Sequence, residues 1–363
     1  MFLMHRQTIR TSTHNYDVTV GKGLLSEFVN YLPKHYQQVF IITDTIVQPL
    51  YAEALRKSLE TKETKVAISV VPAGERSKNI DQYYQLLTDA IQHNLDRSSL
   101  IVALGGGMVG DLAGFVASTY MRGIDYVQVP TTILAHDSSV GGKVAINHPE
   151  GKNLIGHFYP PRAVVYDVET LDTLPDHEKR SGYAEVVKHG LISCDSFFRD
   201  VLTVDLTTSL HHELIVSHLQ NGIQVKANIV EQDERESNIR KFLNFGHTLG
   251  HAIESELGYG QITHGEAVAI GMLFAIRVSE QENQVTLPYD ELYQWLETNH
   301  YPLTLPDMDV NTLIQRMKKD KKSSNAVVQM VLLEEVGRPV TKNISDDQLS
   351  TYLMNFLREL GLT

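Results

Sequence analysis

The sequence predicts an α/β fold in two domains: a parallel sheet covered on both faces over residues 1–174, then an all-helical domain over 175–363. Three observations predict it. At 363 residues the chain exceeds what one hydrophobic core usually supports. In the first half, short β-branched runs alternate with helical patterns, and the runs are apolar throughout rather than at every second position, as strands buried on both faces require. From Asp176 onward nearly every segment carries helical periodicity.

Taken in order, QQVFIITD (37–44) reads as a buried strand, followed by a helix from about Val47 to Leu59. KVAISVVP (65–72) is a second strand. Residues 81–93 place Tyr83, Leu86, Leu87, Ala90 and Ile91 on one helical face. SSLIVALGGG (98–107) is a strand ending in glycines, DLAGFVASTYM is helical, and DYVQVPTT is again strand-like. AVVYDVETLDTLP closes the α/β half near Leu171–Pro175. The helical half contains EKRSGYAEVVKHGLI, LIVSHLQNGIQVKANIVEQ, NFGHTLGHAIESEL, GEAVAIGMLFAIRVSE and DQLSTYLMNFLREL. A cleft between two such domains is a common place for a site.

Composition narrows the function classes. The net charge of −12 disfavours nucleic-acid binding, and an anionic substrate would need a local cluster of Lys and Arg. No apolar run reaches the roughly 18 residues of a membrane span, and the N-terminal stretch lacks the pattern of a signal peptide. The single cysteine, Cys194, excludes an internal disulfide and suits a reducing cytoplasm.

Four features carry chemistry. Gly105-Gly106-Gly107-Met108-Val109-Gly110-Asp111 lies between a strand and a helix. Glycines there let backbone N–H groups approach a pyrophosphate at the positive helix end. The GxGxxG match is weak by itself, and a plain tight turn is the competing reading. Asp44 ends a strand, where a carboxylate can accept from a ribose diol and repel a 2′-phosphate, favouring NAD over NADP; a helix cap is the competing role. In the helical half, His247 and His251 share a helical face, His264 begins the next helix and Glu185 lies in GYAEVVKHG. Three N/O ligands with an open position is the pattern of catalytic zinc. The zincin signature is excluded because Thr248 follows His247, and spacing leaves open whether His251 or His264 joins His247. Lastly, Lys143, Lys152, Lys188, Lys226, Arg240 and Lys321 lie near these landmarks, although most cations are simply solvated. Arg240, four residues before Asn244, would share a helical face with it.

Together these segments resemble the 3-dehydroquinate synthase family. The resemblance runs through ALGGGMVGDLAGFVASTYMRG (103–123), VPTTILAHDSSVGGKVAINHPEGKNLIGHFYPP (129–161), SGYAEVVKHG (181–190), RKFLNFGHTLGHAIE (240–254) and THGEAVAIGM (263–272), with an echo at 320–322. It implies a Rossmann-like nucleotide-binding half, a helical metal-binding half, and a cytoplasmic homodimer using NAD and Zn2+, with Co2+ as a substitute. The reaction implied converts 3-deoxy-D-arabino-heptulosonate 7-phosphate to 3-dehydroquinate and phosphate in the shikimate pathway. Its stages are transient oxidation, phosphate elimination, reduction and an intramolecular aldol. A metal-dependent polyol dehydrogenase and another sugar-phosphate cyclase are the rival activities.

By the same resemblance, NAD contacts Asp44, Glu75, Lys78, Gly106, Gly107, Met108, Val109, Gly110, Asp111, Thr131, Thr132, Lys143, Lys152 and the turn Thr170-Leu171-Asp172-Thr173. Glu185, His247 and His264 hold the metal, leaving His251 in the pocket. Asp137, Lys143, Asn153, Lys188, Lys226, Arg240, Asn244, His251 and Lys321 face the substrate, and Arg122 reaches the neighbouring subunit's phosphate. One departure stands out. Between Thr132 and Asp137 the chain has Ile-Leu-Ala-His, one residue fewer than the family pattern, which leaves the placement of Asp137 open.

Overall fold

The computed structural model describes residues 4–258, 260–306, 308–320 and 327–361. Its strands are β1 (Met4–Ile9), β2 (Tyr16–Gly21), β3 (Gln38–Asp44), β4 (Lys65–Val71), β5 (Leu100–Gly105), β6 (Asp125–Pro130), β7 (Lys143–His148), β8 (Gly151–Phe158), β9 (Ala163–Asp167), β10 (Val328–Glu335) and β11 (Arg338–Ile344). Its α-helices are α1 (Glu53–Leu59), α2 (Ile80–Gln92), α3 (Gly107–Thr119), α4 (Ala135–Ser138), α5 (Asp176–Ser193), α6 (Asp195–Val201), α7 (His212–Gln232), α8 (His247–Leu257), α9 (His264–Asn283), α10 (Tyr289–Thr298), α11 (Val310–Asp320) and α12 (Asp346–Glu359). They form two compact units, residues 1–174 with 211–235, and residues 175–210 with 236–363.

The first unit is built on a seven-stranded sheet in the order β1-β2-β9-β6-β5-β3-β4, parallel except for the β1–β2 pair. Alternate residues of the central strands feed two cores. Phe40, Ile42, Ile101 and Ala103 pack with Leu86 of α2 and Leu112 and Val116 of α3. Val39, Ile41, Leu100, Val102 and Leu104 pack with Leu55 and Leu59 of α1 and with Phe28. The chain leaves β3 toward β4 on one side and returns to β5 on the other. The carboxyl ends of β3 and β5 therefore flank a topological switch point, where open α/β sheets bind their ligands.

Three parts of this unit depart from the sequence expectation. The β1–β2 ribbon was not anticipated. Residues 143–158, given no element in the sequence reading, form the antiparallel hairpin β7–β8. It lies so close to α3 that a Cβ on Gly114 would meet Val144 Cγ1 at 2.4 Å. The third is α7, assigned by sequence to the helical half. Its buried stripe of Ile215, Leu219, Ile223, Lys226 and Val230 belongs to the first unit, where α7 packs on β1, β2 and α4.

The second unit is helical with one hairpin, β10–β11, that the all-helical expectation omits. Its turn at Gly337, with φ +88°, donates from the backbone N–H to the Leu191 carbonyl at the end of α5. Helix α5 is buried continuously from Ser181 to Ile192. Helices α5, α8 and α9 approach one another through glycines: a Cβ on Gly265 would lie 1.9 Å from the Ser181 carbonyl oxygen, and one on Gly271 would lie 1.9 Å from that of Gly246. No helix among the described residues is long and apolar enough to cross a membrane.

Candidate functional site

In the first unit, the expected nucleotide residues lie at or after the carboxyl ends of the parallel strands, except Lys143 and Lys152, which lie in the β7–β8 hairpin. Asp44 ends β3, and its Oδ1 accepts from the backbone N–H groups of Ile46 and Val47 at 2.8 and 2.9 Å. One oxygen thus closes an Asx-type turn, while the helix that follows, with Val47 at its N-cap, has no side-chain cap; Oδ2 takes no part in the turn. Gly106 precedes α3 without a side-chain cap, so the first N–H groups of the helix face outward at its positive end. Here a Cβ on Gly106 would come within 3.0 Å of Thr132 Cγ2, and one on Gly107 within 3.0 Å of Ser138 Oγ. Met108, Val109, Gly110 and Asp111 form the first turns of the helix. Thr131 and Thr132 follow β6, and their buried hydroxyls find no hydrogen-bond partner among the described residues. A cradle of glycines beside orphaned buried hydroxyls fits a polar ligand such as a dinucleotide.

Lys78 is buried beneath this cradle, hydrogen-bonded to the Asp111 carboxylate and, at 2.6 Å, to Asn153 Oδ1. Burial pushes its pKa down, but Asp111 and Glu75 more than offset this and hold it cationic. Asn147 completes the network, donating to Glu75 Oε1 at 2.8 Å and accepting from the Asn153 N–H at 3.0 Å. Asn153, expected to face the substrate, is thereby tied to Lys78. Lys143 is exposed at the start of β7, and Lys152 is half-buried in β8.

The turn Thr170–Thr173 follows β9. Tyr51 donates to the Thr170 carbonyl at 3.1 Å and shares a 2.6 Å hydrogen bond with Thr173 Oγ1. His212 Nε2 lies 2.8 Å from Asp172 Oδ1. The Thr132–Asp137 segment closes through α4 and delivers Asp137 to α7, where Lys226 Nζ donates to its carbonyl at 2.5 Å and to Oδ2 at 2.8 Å. Arg122 is exposed in a turn where Met121 and Arg122 both adopt left-handed φ, 49° and 68°.

The second unit holds a cluster of one carboxylate and three imidazoles. Glu185 and Lys188, one turn apart on α5, are 2% and 1% exposed and form an ion pair through Oε2. The other oxygen, Oε1, lies 3.5 Å from His247 Nε2 and 3.6 Å from His264 Nε2. The rings of His247, His251 and His264 stand 5.2 to 5.5 Å apart, and their ligand atoms fall within 4.8 Å of one another. Burial pushes His247 well below its usual range and keeps it neutral. Burial acts the same way on His264, but Glu185 and Glu254 prevail and raise it to about 9.

The spacing tests whether a metal fits. An N–H···O hydrogen bond spans roughly 2.7–3.2 Å, whereas two ligands about 2.1 Å from one tetrahedral ion lie about 3.4 Å apart. The Glu185–His247 and Glu185–His264 separations match the second figure. Both rings offer Nε2 to Glu185, while Nδ1 faces the Phe245 carbonyl in His247 and Glu254 in His264. His247 and His264 thus each turn Nε2 toward Glu185 Oε1, with His251 in the same cluster.

Arg240 is 1% exposed. It lies in the 3-10 turn Ile239–Asn244, so its expected alignment with Asn244 on one α-helical face does not occur, three residues per turn setting them apart. Asn244 instead donates to Glu236 Oε1 at 2.9 Å. Lys321 lies outside the described residues. Tyr51, Asn147, His212 and Glu254 escaped the sequence reading: Tyr51 and His212 stand outside any motif, and Asn147 and Glu254, though inside the quoted segments, carry no spacing that marks them.

Residues 68–181 match the family described as 3-dehydroquinate synthase N-terminal, and residues 182–323 the one described as 3-dehydroquinate synthase C-terminal. A 3-dehydroquinate synthase of Oceanobacillus iheyensis is 53% identical over 358 residues, 98% of this chain and 99% of that protein. Among solved structures, 2-deoxy-scyllo-inosose synthase complexed with carbaglucose-6-phosphate, NAD+ and Co2+ superposes with a TM-score of 0.86 at 28% identity, covering 98% of this chain and 100% of that one. A 2-epi-5-epi-valiolone synthase from Streptomyces hygroscopicus subsp. jinggangensis, with NAD+ and Zn2+ bound, shares the fold at a TM-score of 0.87 and 22% identity, covering 97% of this chain and 99% of that one. With the two family matches abutting at residue 181 and half its residues shared with a full-length relative, this chain belongs to the 3-dehydroquinate synthase family.

Proposed function

We propose that the chain converts 3-deoxy-D-arabino-heptulosonate 7-phosphate to 3-dehydroquinate and phosphate, with NAD held by the first unit and a divalent ion, Zn2+ or Co2+, by Glu185, His247 and His264. The observation that carries this reading is Glu185 Oε1 set at ligand spacing from two Nε2 atoms beside a buried Lys188. The names of the relatives support the same reaction.

When bound, NAD accepts and returns a hydride and the ion polarises substrate hydroxyls as a Lewis acid. The remaining work falls to side chains. Asp44 Oδ2 accepts from the adenosine ribose and disfavours a 2′-phosphate. The N–H groups after Gly106 receive the pyrophosphate, with Lys78 adding a fixed positive charge. Lys188 neutralises Glu185 Oε2 and leaves Oε1 directed at the imidazoles. Arg240 pairs bidentately with the substrate carboxylate, a contact that a cyclase for neutral hexose phosphates does not need. Lys152 and His251 offset the phosphate, which can itself take the proton released on its elimination. Lys226 holds Asp137 in place.

The same reading includes a cytoplasmic homodimer in which Arg122 crosses to the neighbour. Strand β8 supports it: it exposes Leu154 and Phe158 on one face and Ile155 on the other, more apolar surface than one strand usually leaves to water. The lone thiol of Cys194 suits a reducing compartment. The test mixes metal-loaded protein, catalytic NAD and the heptulosonate phosphate, and follows inorganic phosphate with NADH absorbance. Phosphate release without lasting NADH is expected. Lasting NADH without phosphate would mark a dehydrogenase instead.

A further inference from the structure

On the reading that Glu185, His247 and His264 hold the metal, we infer that Glu254 is the positioning residue that fixes which nitrogen His264 presents to it. Glu254 lies on α8, 8% exposed, and its Oε2 stands 3.4 Å from His264 Nδ1. The opposite nitrogen, Nε2, faces Glu185 Oε1 at 3.6 Å. A neutral imidazole has one N–H, and an ionised carboxylate can only accept. Glu254 therefore keeps the proton on Nδ1 and leaves the Nε2 lone pair for the ion. His247 reaches the same state differently, through the Phe245 carbonyl 3.2 Å from its Nδ1. The two rings thus have unequal supports: one is a backbone group that no substitution removes, the other a single side chain. A carboxylate behind a ligating histidine also strengthens it as a donor, and its loss costs metal affinity about 10–100-fold. The backbone contact between α8 and α9 at Gly246 and Gly271 holds Glu254 and His264 in register.

The experiment titrates metal-free protein with Zn2+ against a competing chromophoric chelator. Glu254→Ala is expected to weaken binding about 10–100-fold. Glu254→Gln, whose amide oxygen still accepts from Nδ1–H, should lose less, a rescue that generic loss of packing would not produce. A second measurement needs no variant: in cadmium-loaded wild-type protein, nitrogen NMR should place the proton of His264 on Nδ1 and the metal on Nε2. Cadmium on Nδ1 overturns the inference, as does an E254A protein that binds zinc as tightly as wild type while H264A does not. If H264A itself keeps wild-type affinity, the metal set fails, and this role with it.

Discussion

Among the described residues Arg240 is the largest of the side chains that are less than 2% exposed. Charges interact more strongly in so buried a setting than in water, so a substrate anion reaching this guanidinium would be held tightly. Arg240→Ala should raise the barrier for the overall reaction by about 2–4 kcal/mol if it is a desolvated partner of the substrate. Steady-state kcat/KM checks this, and a near-normal rate removes it from the site. His264 makes a second prediction at the same scale. Without metal it holds its proton up to about pH 9, whereas His247 is already neutral. Zinc uptake near pH 7.5 should therefore release about one proton, and affinity should rise with pH until about 9 and then level. Calorimetry in buffers of different ionisation enthalpy measures this, and a heat independent of buffer would contradict it. The donor types were legible in the sequence because Glu185, His247 and His264 stand in recognisable segments. His212, outside those segments, and Glu254, at the end of one, were not singled out, since what makes each useful is a partner 40 or 10 residues away that the fold supplies.

At the level of elements, the metal cluster depends on how closely three helices meet. Gly271→Ala would drive a methyl into the Gly246 carbonyl, so it should cost at least the ~1–3 kcal/mol typical of overpacking. A lowered denaturant midpoint at unchanged slope would show it; an unchanged midpoint would mean the helices separate freely. Tyr51 links the helix that follows β3, whose last residue Asp44 is proposed to contact NAD, to the Thr170–Thr173 turn, proposed to do the same. Its replacement by Phe removes about 1 kcal/mol of hydrogen bonding. The KM for NAD should rise about fivefold with kcat unchanged, whereas a fall in kcat alone would place Tyr51 elsewhere. The elements that declared themselves were those with a single environment. Strands β3 and β5, buried on both faces, read as unbroken apolar runs, and α9 reads as a long helix. The β7–β8 hairpin did not, because β8 is exposed from Asn153 to Phe158 and so alternates with nothing. Residues 239–244 imitate an α-helix in spacing but wind as a 3-10 turn.

Across the whole molecule, the proposed ligands divide cleanly: every described metal candidate lies in one unit and every nucleotide candidate in the other. Hydrogen exchange should therefore show zinc protecting amides of α5, α8 and α9, and NAD protecting the ends of β3, β5 and β9. Equal protection of both sets by either ligand would refute the division. At this scale the two-unit plan could be read from the change in periodicity near Leu174, but the membership of α7 could not. Its apolar stripe states that the helix packs on something, not on what. Because α7 rejoins the sheet only after residues 175–210 have gone elsewhere, the first unit is not a continuous stretch of polypeptide. A ribosome must release 36 residues of the second unit, 175 to 210, before it can supply the helix that carries Lys226. Vectorial synthesis consequently cannot finish one half before starting the other, and a gene cut at codon 174 would yield a sheet missing one of its own walls.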